Sequence, residues 1–100
     1  MNEVQERHGR AERAGDLLRA MGNLHRLQVL CLLSQGEMSV RQLEEMVGLS
    51  QSALSQHLAR LRRHGLVATR RSAQNIYYSL QGKEVSTILA ALMTLYGPFM

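Results

Sequence analysis

The sequence of 100 residues predicts a mainly α-helical fold with one small β-hairpin. Apolar residues recur at helical spacing over most of the chain, and glycines stand where the predicted helices end. After Gly65 the pattern changes to a strand-like alternation, in which Ile76, Tyr78 and Leu80 share one face. We therefore expect about five helices and a two-stranded hairpin within one domain of residues 12–97.

The first two helices are predicted from their boundary residues. Residues 1–11 are polar and lack an apolar period, so they are expected to form a flexible N-terminal tail. The first helix ends at about Met21, because Gly22 is typical of the residue just past a helix. Asn23 is a suitable N-cap for a second, largely apolar helix that closes before Gly36.

The next two helices are joined by a short turn. Ser39 with Gln42 three residues later is the capping-box pattern, and Gly48 stops the helix that follows. Ser50 is the next N-cap, so these helices are separated only by Gly48 and Leu49, as in a helix-turn-helix.

A hairpin and a last helix complete the predicted fold. The strands are expected at residues 66–71 and 75–80, with a turn between them. The final helix, about residues 83–96, stops at Gly97 and Pro98. A helix-turn-helix followed by such a hairpin, or wing, is a winged helix-turn-helix.

The charges are distributed unevenly along the chain. Lys and Arg number 12 and Asp and Glu number 8, which gives a formal net charge of +4. From Met46 to Lys83 there is no Asp or Glu, and this stretch holds the cations Arg60, Arg62, Arg63, Arg70, Arg71 and Lys83. A cationic stretch without acids is typical of a nucleic-acid surface, whereas an ordinary solvated face mixes both signs. The sequence therefore predicts double-stranded DNA as a partner.

The helix after Ser50 carries the predicted contact residues. Leu54, Leu58 and Leu61 form a core-facing stripe, which leaves small polar groups and arginines on the opposite face. Gln can pair bidentately with adenine, Ser can hydrogen-bond base edges or phosphates, and Arg neutralises the phosphate backbone. The candidate DNA-binding residues are Gln51, Ser52, Ser55, Gln56, Arg60 and Arg63 on the helix, with Arg70 and Arg71 on the hairpin.

Two other functions use the same residues. A winged helix that binds only protein partners is one, and the arginine content argues against it. An enzyme would need a nucleophile beside an acid or base, such as Cys31 or Ser55 with His57. Ser55 and His57 do not share a helix face and no acid lies nearby in the sequence, so neither enzyme activity nor a cofactor is expected.

Composition excludes several protein classes. The single cysteine, Cys31, rules out an internal disulfide framework and a cysteine-cluster zinc site. The sequence shows no signal peptide and no apolar run long enough to span a membrane. We therefore expect a soluble cytoplasmic protein without a membrane partner.

The apolar surface of the terminal helices predicts a homodimer. The last helix is apolar on more faces than one small core can cover, and the first helix has few neighbours to cover its apolar side. Two such surfaces related by a two-fold axis would bury each other. The candidate interface residues are Leu17, Leu18, Met21, Leu89, Leu92 and Tyr96.

The segment "LSQSALSQHLARLRRHGLVATRRSAQNIYYSL", with "LHRLQVLCLL" upstream, resembles the ArsR/SmtB family of bacterial transcriptional repressors. Within that family it is similar to the branch of the BigR and HlyU thiol-switch regulators and the nodulation regulator NolR. The resemblance implies a nucleoid-associated homodimer, built by the first and last helices, whose DNA affinity is switched by an inducer. It also adds His57 and, in the wing, Gln74 to the candidate DNA-binding residues.

The resemblance bears on the signal as well. Metal-sensing members use paired cysteines, or His and carboxylates on the last helix, and neither set is present, so no metal site is expected. Thiol-switch members, which respond to persulfides or oxidants, have one cysteine in the helix that contains Cys31 and a second at the end of the last helix, just after a Leu-Tyr pair, where this chain has Gly97. Two interpretations stay open: Cys31 alone senses reactive sulfur or oxidants, or it is a small core residue.

Overall fold

The computed structural model describes residues 2–100 and confirms a winged helix-turn-helix. In chain order its elements are α1 (Glu3–Met21), α2 (Leu24–Leu33), β1 (Met38–Ser39), α3 (Val40–Val47), α4 (Gln51–Arg63), β2 (Val67–Ser72), β3 (Asn75–Leu80) and α5 (Lys83–Tyr96). No helix in the described residues is both long and apolar enough to cross a membrane.

Helix α1 starts earlier than the sequence pattern indicated, well inside the segment 1–11 expected to be a tail. The Asn2 side chain accepts a hydrogen bond from the backbone of Gln5 at 2.8 Å, and the Gln5 side chain accepts one from the backbone of Asn2 at 3.1 Å. This is a capping box built from Asn and Gln. The helix was missed by periodicity because its first turns are exposed on all sides and need no apolar stripe.

The predicted start and stop signals of the helix-turn-helix are confirmed. Ser39 and Gln42 form the expected reciprocal capping box at 2.9 and 3.1 Å. Gly48 ends α3 in the left-handed region with φ of 75°, a conformation that favours glycine. The Ser50 hydroxyl then accepts from the backbone of Ala53 and starts α4.

The sheet has one strand more than the expected two-stranded hairpin. The strand order is β1-β3-β2, all antiparallel, with Thr69 opposite Tyr78 in the wing and Met38 opposite Tyr78 in the added pair. β1 contains only two residues, too few to show an alternating pattern, and its partner lies far along the chain. It became a strand because β3 offers it an otherwise unpaired edge.

The core lies beneath α4 and around α2. Helix α2 is buried over most of its length, and its apolar side chains meet the leucine stripe of α4 and the first half of α5. Residues with no exposed surface include Val29, Leu30, Cys31, Leu43, Leu54, Leu61, Val85 and Leu89. This packing fixes which side of α4 faces solvent.

Candidate nucleic-acid interface

Helix α4 presents its polar face to solvent because its apolar stripe is fully used in the core. Leu54 and Leu61 have no exposed surface and Leu58 has 2%. The opposite side is therefore turned outward, and its side chains are short or cationic. Exposed there are Gln51, Ser52, Ser55, Gln56 and Arg63, while Arg60 is half-buried.

A groove of about 600 Å³ runs between α4, α3 and the wing. Gln51, Ser55 and Gln74, all predicted contact residues, line it together. Two cations that the sequence did not assign to the site, Arg41 and Arg62, also line it, as does the carboxylate of Glu44. The remaining lining residues are Val40, Leu58, Ala59, Asn75, Ile76 and Tyr78.

Arg62 joins α4 to the wing. Its Nη1 donates to the hydroxyl of Tyr78 at 3.4 Å, and Tyr78 lies on β3. The sequence placed Arg62 in the acid-free stretch but gave no sign that it lies on the wing side of α4. Arg41 on α3 lies outside that stretch, and only the fold brings it to the groove.

The wing carries Arg70, Arg71 and Gln74, all exposed. Arg70 is not free in this state, because its Nε and Nη2 donate to the two carboxylate oxygens of Glu37 at 2.8 and 2.7 Å. Its guanidinium also lies 4.5 Å from the centre of the Tyr77 ring. These hydrogen bonds lower the pKa of the Glu37 carboxyl and raise the pKa of Arg70. Glu37, which lies outside the acid-free stretch, thus neutralises Arg70, which lies within it.

We expect Glu37→Gln to tighten DNA binding, because it leaves Arg70 without a competing carboxylate. The gain should be largest at low salt, and the slope of log affinity against log salt should steepen by about 1. Fluorescence anisotropy with one duplex over a salt series measures both quantities. The matched control is Glu6→Gln, which removes the same charge from the first turn of α1. Equal gains in both variants would mean that net charge alone is responsible.

His57, which the resemblance adds to the candidate DNA-binding residues, lies at the edge of the exposed face of α4. It lies on the flank of α4 that meets α2, is half-buried, and its ring centre is 5.8 Å from that of His25. Its Nδ1 lies 3.4 Å from Nη1 of Arg26. Burial lowers the pKa of His57, and electrostatic interactions with Arg26, His25 and Arg60 lower it further. A base-contacting role for His57 therefore stays a prediction, and the ring is turned toward α2.

Cys31 has no exposed surface, and its Sγ lies 3.7 Å from Sδ of Met93 on α5. A buried thiol in apolar surroundings packs as a small apolar side chain. Among residues 2–100 no three His, Cys, Asp or Glu side chains are grouped in a way that could hold a metal ion.

The six candidate interface residues fall into two groups. Leu18 is 56% exposed and Tyr96 79%, while Leu17 and Leu92 are half-buried. Met21 and Leu89, by contrast, belong to the core of this chain with 2% and 0% exposure, so they offer no surface to a second copy. Periodicity placed them on apolar faces correctly but could not tell which part of each face the chain itself covers.

Comparison with known proteins finds a matching family model and regulators that are similar over most of the chain. Residues 25–69 match the family model described as "Bacterial regulatory protein, arsR family". The chain is 50% identical to the transcriptional activator HlyU of Vibrio cholerae over 93 residues, covering 93% of this chain and 86% of that protein. It is 53% identical to the nodulation protein NolR of Rhizobium meliloti, covering 92% of this chain and 75% of that protein.

Solved structures extend the similarity to the whole fold. Reduced HlyU from Vibrio cholerae superposes with a TM-score of 0.88 at 50% identity, covering 92% of this chain and 97% of that one. The transcriptional repressor BigR from Xylella fastidiosa gives 0.85 at 35% identity, covering 95% and 97%. The homodimeric winged helix-turn-helix DNA-binding domain of Mb0332 from Mycobacterium bovis gives 0.82 at 27% identity, covering 95% and 86%.

Proposed function

Because this chain belongs to the ArsR family of bacterial regulatory proteins, we propose that it is a homodimeric repressor whose hold on its operator is tuned by a signal. It is a DNA-binding regulator of transcription, as its relatives are. The observation that carries the proposal is the orientation of α4, whose leucine stripe is buried and whose Ser and Gln side chains are exposed. Residues 12–97 are the proposed DNA-binding and dimerisation unit, acting in the bacterial cytoplasm at the nucleoid.

In this proposal the two halves of α4 have different tasks. Gln51, Ser52, Ser55 and Gln56 contact base edges in the major groove, where short amide and hydroxyl groups find donors and acceptors. Arg60 and Arg63 on α4, with Arg70, Arg71 and Gln74 on the wing, contact the phosphate backbone on either side. No catalytic role is proposed for any residue.

Self-association is supported by large apolar side chains at the surface of the terminal helices. Leu18 on α1 and Leu95 and Tyr96 on α5 are each more than half exposed. Exposed apolar surface of this kind is typical of a homodimer contact. The homodimeric state of the Mb0332 domain, which shares the fold, supports the same arrangement here.

The test is a comparison of Gln56→Ala with Arg71→Ala on two duplexes: the one that the protein selects from a random pool, and a scrambled control. Gln56→Ala should weaken binding to the selected duplex by about 1–3 kcal/mol and leave binding to the scrambled one unchanged. Arg71→Ala should weaken both and reduce the salt slope by about 1. An equal loss on both duplexes for Gln56→Ala would contradict its base-contacting role.

A second candidate mechanism is a redox- or persulfide-responsive repressor that uses Cys31. Its support is the similarity to HlyU, whose solved structure is described as reduced. Cys31 is buried against Met93, so modification requires α5 to move away from α2. The same DNA titration with a persulfide donor distinguishes the two mechanisms: a loss of affinity that disappears in Cys31→Ala supports the thiol signal, and indifference to the donor excludes it.

A further inference from the structure

A cationic cleft of about 460 Å³ lies where the start of α2 meets the outer half of α4. It is lined by Arg26, Gln56, His57, Ala59, Arg60 and Arg63. Three of these side chains are permanently charged, one can become charged, and this lining contains no carboxylate. Like charges brought together destabilise one another, so an anion between them would be stabilising.

Arg26 is the group that makes the cleft more than a patch of surface charge. The residue is only 7% exposed, and burying a guanidinium without an opposite charge costs free energy. Its Nε donates to the carbonyl oxygen of Ala20 at 2.6 Å and its Nη2 to that of Arg19 at 3.2 Å, which fixes the plane of the group at the end of α1. Burial, followed by the charge of Arg60, lowers the pKa of Arg26.

The remaining nitrogen of Arg26, Nη1, is directed at the ring of His57. Its Nη1 has one protein partner in the described residues, Nδ1 of His57 at 3.4 Å. A guanidinium can only donate, so Nδ1 accepts here and its proton lies on the other ring nitrogen. If Nδ1 becomes protonated it can no longer accept from Nη1, and both nitrogens then become donors available to an anion in the cleft.

We propose that this cleft binds one phosphate-type oxyanion between Arg26 and His57, flanked by Arg60 and Arg63, and that a DNA backbone phosphate is its occupant in the complex. The identity of the occupant rests on the proposed function, whereas the existence of the site does not. Gln56 and Arg63 border both the cleft and the exposed face of α4, so a phosphate beside bases contacted by α4 lies within reach.

Binding at this site is linked to a proton on His57. The groups facing that ring are His25 and Arg26 from α2 and Arg60 from its own helix, and together with burial they lower the pKa of the imidazole. An anion in the cleft reverses this balance and raises the pKa of His57. Affinity therefore increases as pH falls through the pKa of the bound form, and stops increasing below the pKa of the free form.

The experiment measures the pKa of the His57 ring by NMR on the full chain, in sodium sulfate and in sodium chloride at equal ionic strength. Sulfate is the probe because it does not titrate near neutral pH. We expect sulfate to raise the pKa of His57 by about one pH unit or more. Arg26→Gln and Arg60→Gln should each reduce this rise. Arg62→Gln, the same change on the other flank of α4, should not.

A second measurement identifies the occupant. The affinity of the selected duplex should increase toward acidic pH in the wild type and in Arg62→Gln, and should depend less on pH in Arg60→Gln. If sulfate raises the pKa of His57 but DNA affinity shows no such dependence, the site takes a free anion and its assignment to DNA phosphate is overturned. If the protein selects no duplex at all, the proposed function fails while the sulfate result still decides the site. An unchanged pKa in sulfate overturns the site itself.

Discussion

A variant with Leu95→Glu and Tyr96→Glu is expected to be monomeric and to bind the selected duplex about 100-fold more weakly, or worse. The two side chains are 72% and 79% exposed at the end of α5, so carboxylates there leave the core of the single chain intact. In a dimer they would place charges within a buried apolar contact. A monomer loses the second half-site, and with it the gain from simultaneous binding. Sedimentation equilibrium gives the mass and fluorescence anisotropy the affinity.

The matched control for the oligomeric state is Met46→Glu. Met46 is likewise a large apolar residue with 55% exposure, but it lies on α3, away from both terminal helices. It should leave the mass of a dimer unchanged. A double variant that sediments as a dimer would show that the end of α5 is outside the contact, and the proposed interface would then need another surface.

Leu54→Ala is expected to reduce the free energy of unfolding by about 2–5 kcal/mol, which is a large share of the stability of a small domain. Leu54 has no exposed surface and lies in the first half of α4, beneath the exposed Gln and Ser residues. Its truncation leaves a cavity and removes an anchor that orients the helix, so affinity for the selected duplex should fall as well. Urea unfolding at a fixed protein concentration measures the first effect, since a dimer's stability depends on concentration.

The control for this truncation is Met46→Ala, which removes a comparable apolar side chain from a largely exposed position. Its cost should stay within about 0.5 kcal/mol, as for most surface substitutions. If both substitutions cost the same, α4 is not held by its leucine stripe, and the orientation that carries the proposed function is incorrect.

The parts of the fold that depend on neighbouring residues were predicted well. Ser39 with Gln42, Ser50 and Gly48 mark helix ends through contacts a few residues apart, and the structure has all of them. The early start of α1 was not predicted although Asn2 and Gln5 carry a local signal, because its first turns are exposed on all sides and show no apolar period. β1 was missed because its formation depends on a partner strand distant in sequence.

In the candidate site, too, features that depend on nearby residues were predicted, and contacts between distant residues were not. The exposed face of α4 follows from helical period alone, and the acid-free arginine stretch follows from composition. The ion pair of Arg70 with Glu37, the contact of Arg62 with Tyr78 and the burial of Arg26 beside His57 join residues far apart in sequence. Arg26 did carry one weak signal, since a cation within an otherwise apolar helix needs a reason to be there.

Ser39 belongs to two elements at once, and this has a mechanical consequence. It is the last residue of β1, where it pairs with Tyr77 of the wing, and it is also the N-cap on which α3 begins. The wing therefore cannot swing on its two strands alone, because any hinge motion at its base would pull the first turn of α3 with it. We therefore expect the wing and the helix-turn-helix to move as one rigid unit, which fits a duplex only when its grooves have the matching spacing. The local width and bend of the duplex then contribute to selection at base pairs that no side chain contacts.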